Sequence, residues 1–259
     1  MDKLSPDQIA AGLATQWLGR KIVYHESIGS TNDEAHRLAV AGTPEGTLVI
    51  AEEQTAGRGR LQRRWVAPPG QALLFSLIFY PTFPPRDAYQ VTMLSSVACL
   101  QGVLACTGLR LALKWPNDLL LDGRKVAGIL SEVGQAGERT FLVVGVGLNV
   151  NVDLAPWPEL REQATSLSEA LGRPVARIPL LQEMLRRIEA GYDRLRAGHA
   201  PYDEWVANLA TLGRQVRVTT AEGILEGRAV GVDPDGALRL ELPGGTSRRI
   251  LVGDVESLR

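Results

Sequence analysis

Cysteine is almost missing from this chain: of 259 residues only Cys99 and Cys106 are cysteines, and both sit in one apolar run. That excludes a disulfide framework and a cysteine-built zinc site, and it fits a reducing, cytoplasmic setting. A surplus of either charge is missing too. Against 28 basic residues stand 29 acidic ones, a net charge of -1, so no global basicity argues for nucleic acid and any anion site must be local. There is no apolar secretory core in residues 1–6. Nor is there an uninterrupted membrane span. The nearest approach, residues 91–109, is broken by Thr92, Ser95, Ser96, Gln101 and Thr107, and reads as a buried core helix. Internal repeats and low-complexity tracts are absent. What is left, 45% hydrophobic and 22% charged, is a globular chain long enough for one large domain or two unequal ones.

The densest chemistry lies in Gly57-Arg58-Gly59-Arg60-Leu61-Gln62-Arg63-Arg64-Trp65, where four arginines and two glycines fall within nine residues. A guanidinium stays charged and can hold two oxygens at once, which suits carboxylates and phosphates. The glycines let main-chain N–H groups approach a ligand. Composition alone leaves a solvated basic loop equally open.

The remaining chain reads in order. A helix is expected over residues 5–19 with Ser5 as N-cap, then a short strand over 21–24. Ser30-Thr31-Asn32 opens the next helix, with capping-box spacing between Thr31 and Glu34. A strand over 47–52 ends beside Gln54 and the arginine loop. The run 72–80 is apolar on both faces and belongs in a sheet covered from both sides. The buried helix spans 87–106, with both cysteines as small core residues. A strand over 109–114 stops at Trp115-Pro116. Asp122-Gly123 signals a hairpin between 117–121 and 125–132. Centred there, the turn pairs Leu120 with Lys125 and Asp118 with Ala127, so Lys125 and Asp118 share a face. A second hairpin leads into 140–150, where Gly145, Gly147 and Asn149 recur at intervals of two, as for close approach of a ligand or of another backbone. Residues 153–163 form a loop long enough to be a lid. Ser166 and Glu169 cap a short helix ending near Gly172, a longer helix follows over 179–197, and 202–209 forms another. From Gly213 short alternating strands (215–219, 225–232, 237–242, 248–252) suggest a small β-barrel, with the boundary near Leu212.

Together these stretches resemble the ordered motifs of biotin protein ligases. The resemblance rests on Ser30-Thr31-Asn32, Gln54, the arginine loop, Lys114-Trp115-Pro116-Asn117-Asp118, Lys125-Val126-Ala127-Gly128-Ile129-Leu130 and Gly145-Val146-Gly147-Leu148-Asn149. Ala164-Thr165-Ser166-Leu167 and Gly253-Asp254-Val255-Glu256-Ser257-Leu258-Arg259 extend it over nearly the whole chain. One position departs from the pattern: Gln62 stands where the family usually has glycine. That bears on loop stiffness and removes no charge. The resemblance implies an α/β fold, a mixed-sheet, class II synthetase-like catalytic domain (1–212) followed by a small C-terminal SH3-like β-barrel (213–259). It implies that biotin and ATP, with Mg²⁺, give biotinyl-5′-AMP and pyrophosphate. The biotinyl group then passes to a lysine of the biotin carboxyl carrier protein of acetyl-CoA carboxylase or a similar carrier.

It also implies roles. Lys125, Arg58, Arg60 and Asp118 are the expected catalytic residues. Ser30, Thr31, Asn32, Gln54, Arg58, Gly59, Arg60, Lys125 and Gly128 would hold biotin. Arg60, Arg63, Trp65, Lys114, Asn117, Lys125 and Asn149 would hold ATP. No residue is assigned as a resident metal ligand. Some family members carry an N-terminal winged helix; the twenty residues before Lys21 are too few for one, so no DNA binding is expected. No membrane association is expected, and a homodimer through a free sheet edge is open. Two rivals stand beside this reading. A lipoate–protein ligase shares the fold but carries a run of three glycines that this chain lacks. A non-catalytic biotin- or nucleotide-binding regulator would be favoured by loss of Lys125 or the arginines, all of which are present.

Overall fold

The computed structural model describes residues 3–258, and of Gln62 the main chain only, so Arg259 of the C-terminal motif lies outside the described residues. Helix α1 (Pro6–Ala11) is shorter than expected. Ser5 caps it, its Oγ accepting from Gln8 N at 3.4 Å, but Gly12 ends it. Strand β1 (Ile22–Ile28) runs past Tyr24 because it pairs in parallel with β2 (Leu48–Gln54), Ile22 facing Leu48 and Ile28 facing Gln54. Between them lies α2 (Thr31–Val40). Its cap is Ser30, whose Oγ accepts from Asp33 N at 3.4 Å, so the cap stands one residue earlier than the Thr31–Glu34 spacing suggests. Then follow β3 (Ala72–Phe79), α3 (Tyr89–Thr107), β4 (Ala112–Lys114), β5 (Asp118–Leu121), β6 (Arg124–Ala136) and β7 (Arg139–Asn149). The lid candidate contains one helical turn, α4 (Pro158–Arg161), and α5 (Leu167–Leu171), α6 (Arg177–Arg196) and α7 (Tyr202–Ala207) complete this part.

The seven strands lie in the order β1-β2-β3-β7-β6-β5-β4, with only the β1–β2 pair parallel, which is the expected mixed sheet. β3 is buried along its whole length. Leu73, Phe75, Leu77 and Phe79 enter the main core with Val91, Val97, Leu181 and Leu185 of α3 and α6. Ile78 turns the other way, to Ala35 and Ala39 of α2. A strand covered on both sides has no use for polar alternation, hence its continuous apolar run. Phe75 and Phe79 are fully buried, which stabilises the fold by about 2–3 kcal/mol each.

α3 is apolar and long enough to cross a membrane by composition, yet most of it is buried against the sheet and α6. Cys99 is a core residue as expected, and burial pushes its thiol up to about 12. Cys106 is not: it is exposed, because the helix ends at Thr107 beyond the covering elements. One charged pair is deeply buried. Arg177, opening α6, places Nη1 2.6 Å from Glu52 Oε2 and 3.1 Å from Ala72 O, while Glu52 Oε1 accepts from Leu4 N at 2.6 Å. This knot ties α6, β2, β3 and the N-terminal segment together.

The last part is a five-stranded antiparallel sheet in the order β11-β10-β9-β8-β12, formed by β8 (Gln215–Thr220), β9 (Gly223–Val232), β10 (Leu238–Glu241), β11 (Ser247–Ile250) and β12 (Asp254–Ser257). Four of these fall where alternation places them; β12 carries no such pattern. β11 and β12 are opposite edges and do not pair, so the sheet is open where a closed barrel was expected. Its apolar face, including Val216, Val218, Leu238 and Leu240, belongs to the same core cluster as β3 and α3. Trp115 Nε1 donates to Gly236 O at 2.7 Å, and Tyr202 Oη to Val232 O at 2.6 Å. Gly236 has φ +87°, and a Cβ there would overlap the Tyr89 ring.

Candidate active site

The pocket is floored by the paired strands β6 and β7 on the side of α2. Asp122 and Gly123 take φ 50° and 79°, the left-handed pair that an Asp-Gly hairpin turn demands. Leu120 faces Lys125 as the turn predicts, but the register slips between Leu119 and Leu120, and Asp118 faces Gly128 where Ala127 was expected. The extra residue on β6 reverses the alternation, as a bulge does. Lys125 and Gly128 thereby share a face: a Cβ on Gly128 would stand 3.2 Å from Lys125 Nζ. Lys125 Nζ lies 2.6 Å from Asp118 Oδ1, so the expected partnership forms by a different route. The Lys125 main chain is stitched to the segment after α4, its N donating to Gln163 O at 2.7 Å and its O accepting from Thr165 N at 2.9 Å.

Across the strands Gly128 faces Gly147, and Leu130 faces Gly145. Both β7 glycines are required by neighbours. A Cβ at Gly145 would overlap Asn32 Oδ1, and one at Gly147 would stand 2.6 Å from Trp65 Cε2. Over this floor sits the start of α2. Thr31 donates to Gln54 Oε1 through N (2.7 Å) and through Oγ1 (3.0 Å). Asn32 donates through Nδ2 to Glu132 Oε2 at 2.8 Å and to Leu130 O at 3.3 Å, and its Oδ1 accepts from Ser76 Oγ at 2.6 Å. Ser30, Thr31 and Asn32 are all buried, so they are at once helix start and pocket wall.

The arginine loop folds back over the opening. Gly59 N donates to Arg63 O at 2.7 Å and Trp65 N to Gly57 O at 2.9 Å, with Leu61 left-handed (φ 53°, ψ 41°) at the tip. A left-handed leucine costs about 1 kcal/mol, which the closed loop sustains. Burial pulls the Arg60 pKa below its ordinary value, opposed by Tyr89, Asp118 and Asp254. A guanidinium does not give up its proton in a protein, so burial is felt as a cost that these neighbours offset only in part. Arg60 forms no ion pair among the described residues; its Nη1 is 3.4 Å from Asn117 Oδ1. Trp65 lies between floor and loop, with Lys125 Nζ 5.6 Å from its ring centre and its own Nε1 buried without a hydrogen-bond partner among the described residues. A desolvated cation, an ammonium and an orphaned N–H around one cavity make a site for an anion with a flat polar part.

Ser30, Thr31, Asn32, Gln54, Arg58, Gly59, Arg60, Arg63, Trp65, Asn117, Asp118, Lys125 and Gly128 all line this pocket. Two expected residues do not. Lys114 sits on the edge strand β4, opposite Asp118, and Asn149 turns its amide to Thr165 O at 3.1 Å. Sequence reasoning assigned no role to the apolar wall (Ile129, Leu130, Val146) or to Gly253 and Asp254, which bring the C-terminal sheet to the rim. Period-two alternation from Gly128 is the signal that would have found Leu130, and Glu132 beyond it.

Such a fold and pocket define the biotin/lipoate type of protein ligase. Residues 24–149 match the Biotin/lipoate A/B protein ligase family and residues 211–257 the Biotin protein ligase C terminal domain. The chain is 39% identical over 258 residues to the bifunctional ligase/repressor BirA of Bacillus spizizenii, covering 98% of this chain and 79% of that protein. It is 34% identical over 270 residues to the biotin–[acetyl-CoA-carboxylase] ligase of Mycobacterium tuberculosis, covering 100% of this chain and 98% of that protein. Among solved structures, the biotin protein ligase of Aquifex aeolicus in complex with biotin and ATP superposes with a TM-score of 0.79 at 27% identity, over 93% of this chain and 99% of that one. The chain belongs to the biotin protein ligase family.

Proposed function

We infer that this pocket joins biotin to ATP, giving biotinyl-5′-AMP and pyrophosphate, and then passes the biotinyl group to a lysine of a biotin carboxyl carrier domain. The observation that carries this reading is the meeting of Arg60, which has no ion pair among the described residues, with Lys125 in one pocket above a glycine floor. In the first half-reaction a carboxylate oxygen attacks the α-phosphorus and the bond to the β-phosphate breaks. Two anions approach, so fixed cations lower the barrier most. Lys125, held by its main chain on both sides, bridges the carboxylate and the α-phosphate. Arg60 covers the same oxygens, with Arg63 and Asn117 toward the phosphates and Trp65 toward the base. Ser30, Thr31, Asn32 and Gln54 take the polar ureido end of biotin, and Gly59 and Gly128 leave it room. ATP would arrive as its Mg²⁺ complex, and the ion would help to neutralise the phosphate charge as the two anions approach.

In the second half-reaction the carrier amine attacks the acyl carbon and AMP leaves. Asp118, 2.6 Å from Lys125, is placed to accept the proton that the amine must lose. Lys114 and Asn149, which do not line the pocket, are given no role in this step. The two family matches and the two sheets support a division into 1–212 and 213–259, and the antiparallel order of the latter supports an SH3-like unit. A cytoplasmic setting, the absence of a DNA partner and a homodimer through the free edge of β1 complete the reading.

The test is ATP–pyrophosphate exchange, driven by biotin and compared with lipoate. Biotin is expected to support exchange and lipoate not. Lys125→Ala is expected to abolish exchange while calorimetry still detects biotin; wild-type-like exchange in that variant removes Lys125 from the chemistry.

A further inference from the structure

The four loop arginines have four different partners. Arg60 has no carboxylate among the described residues and donates to Asn117 Oδ1, Arg63 Nη2 lies 2.6 Å from Asp254 Oδ2, and Arg64 Nη2 donates to Thr55 O at 2.9 Å. Arg58, at the wall of the cavity, engages both ends of its fork with one carboxylate: Nη1 is 2.8 Å from Glu132 Oε1 and Nη2 is 2.7 Å from Glu132 Oε2. Nη2 is also 2.7 Å from Asp33 Oδ1. Glu132 is fixed from the other side by Asn32, whose Nδ2 donates to Oε2 at 2.8 Å. It therefore touches both elements between which a ligand must enter, the loop and the start of α2.

We propose that Glu132, with Asp33, is a positioning residue: a carboxylate latch that captures Arg58 and holds the arginine loop down over the pocket. Arg58 then acts through the loop, and Arg60 is the arginine that meets the ligand. A parallel two-bond pair fixes orientation as well as distance, which suits a latch. Its side chains are 40% and 30% exposed, so the pair is weak enough to open in every turnover and is loosened by salt. The inference rests on the pocket holding biotinyl-5′-AMP, but the latch itself can be tested without any ligand.

The loop carries four arginines, so trypsin reports its opening directly. In substrate-free protein, Glu132→Gln is expected to be cut between residues 57 and 65 about fivefold faster than wild type, the loss of one partly exposed two-bond pair. Asp33→Asn, which keeps the α2 cap, should be cut about twofold faster, and raising the salt should speed cutting of wild type more than of Glu132→Gln. With biotin and ATP, Glu132→Gln should release biotinyl-5′-AMP about fivefold faster in the absence of carrier, while single-turnover adenylate formation at saturating substrate stays within about twofold. Unchanged cutting and release in both variants overturn the latch. Loss of adenylate formation as complete as in Lys125→Ala also overturns it, because Glu132 would then belong to the chemistry. A wild-type protein that shows no biotin-driven exchange removes the ligase reading, and the trypsin comparison still decides the latch.

Discussion

Replacing Gly147 with alanine asks whether the floor of the pocket must be bare. The added methyl would stand 2.6 Å from Trp65 Cε2 and 2.9 Å from two further ring atoms, 0.8 Å short of the 3.4 Å at which ordinary contact begins. β7 cannot retreat, because it lies inside the sheet, with Gly147 in register between Leu74 of β3 and Gly128 of β6. The indole must move instead, and it lies 5.6 Å from the Lys125 ammonium and continues into the arginine loop. Overpacking at such a place costs about 1–3 kcal/mol, and a displacement near 1 Å in an active site costs on the order of 100-fold in rate. We therefore expect kcat/KM for adenylate formation to fall about 10- to 100-fold, with less than about 2 kcal/mol lost in global stability because Trp65 is only half-buried. The assay is pyrophosphate exchange alongside urea unfolding. The decisive variant is Gly147→Ala combined with Trp65→Ala: with the ring gone, the methyl should cost less than about twofold further. A full penalty in the Trp65→Ala background would refute the reasoning, since the obstruction would then lie elsewhere.

Three other outcomes are expected. Arg60→Gly should let biotinyl-5′-AMP escape and label nearby lysines without selectivity, which is read by biotin blotting of a mixture of carrier and bystander proteins; undiminished selectivity contradicts the role given to Arg60. Glu52→Ala should destabilise the protein by about 3–5 kcal/mol, because it removes the carboxylate from buried Arg177 and the acceptor from Leu4 N, and a shift below about 1 kcal/mol in chemical denaturation would sink this account. Glu183 is held below its ordinary value of 4.5, first by the Arg186 hydrogen bond and then by Arg187. A depressed carboxylate stabilises above its unfolded pKa and loses that contribution as pH falls through its folded value, so Glu183→Gln should flatten the stability curve below about pH 4.5.

How much of this was legible beforehand depends on how far apart in sequence the causes lie. The Asp122-Gly123 turn was readable because two left-handed residues are a local demand. The cleared floor was readable because Gly145 and Gly147 keep a period of two, and β3 because a strand covered twice is apolar throughout. The bulge beside Leu119 was not, since only packing under the turn decides where an extra residue goes. β1 outran its expected end because its partner, β2, is distant in sequence. Glu132 meets Arg58 across 74 positions and Arg177 meets Glu52 across 125, and no short-range pattern announces either pair. Asn149 shares the glycines' face, yet its amide is taken by Thr165.

The way Gly236 seats against Tyr89, with its carbonyl on the Trp115 indole, has an implication for protein engineering. A tail borrowed from another ligase would have to reproduce that glycine, that carbonyl and the Asp254 contact to Arg63 together. Chimeras cut at Leu212 should therefore work or fail according to how well their seams match, whatever the intrinsic quality of either half.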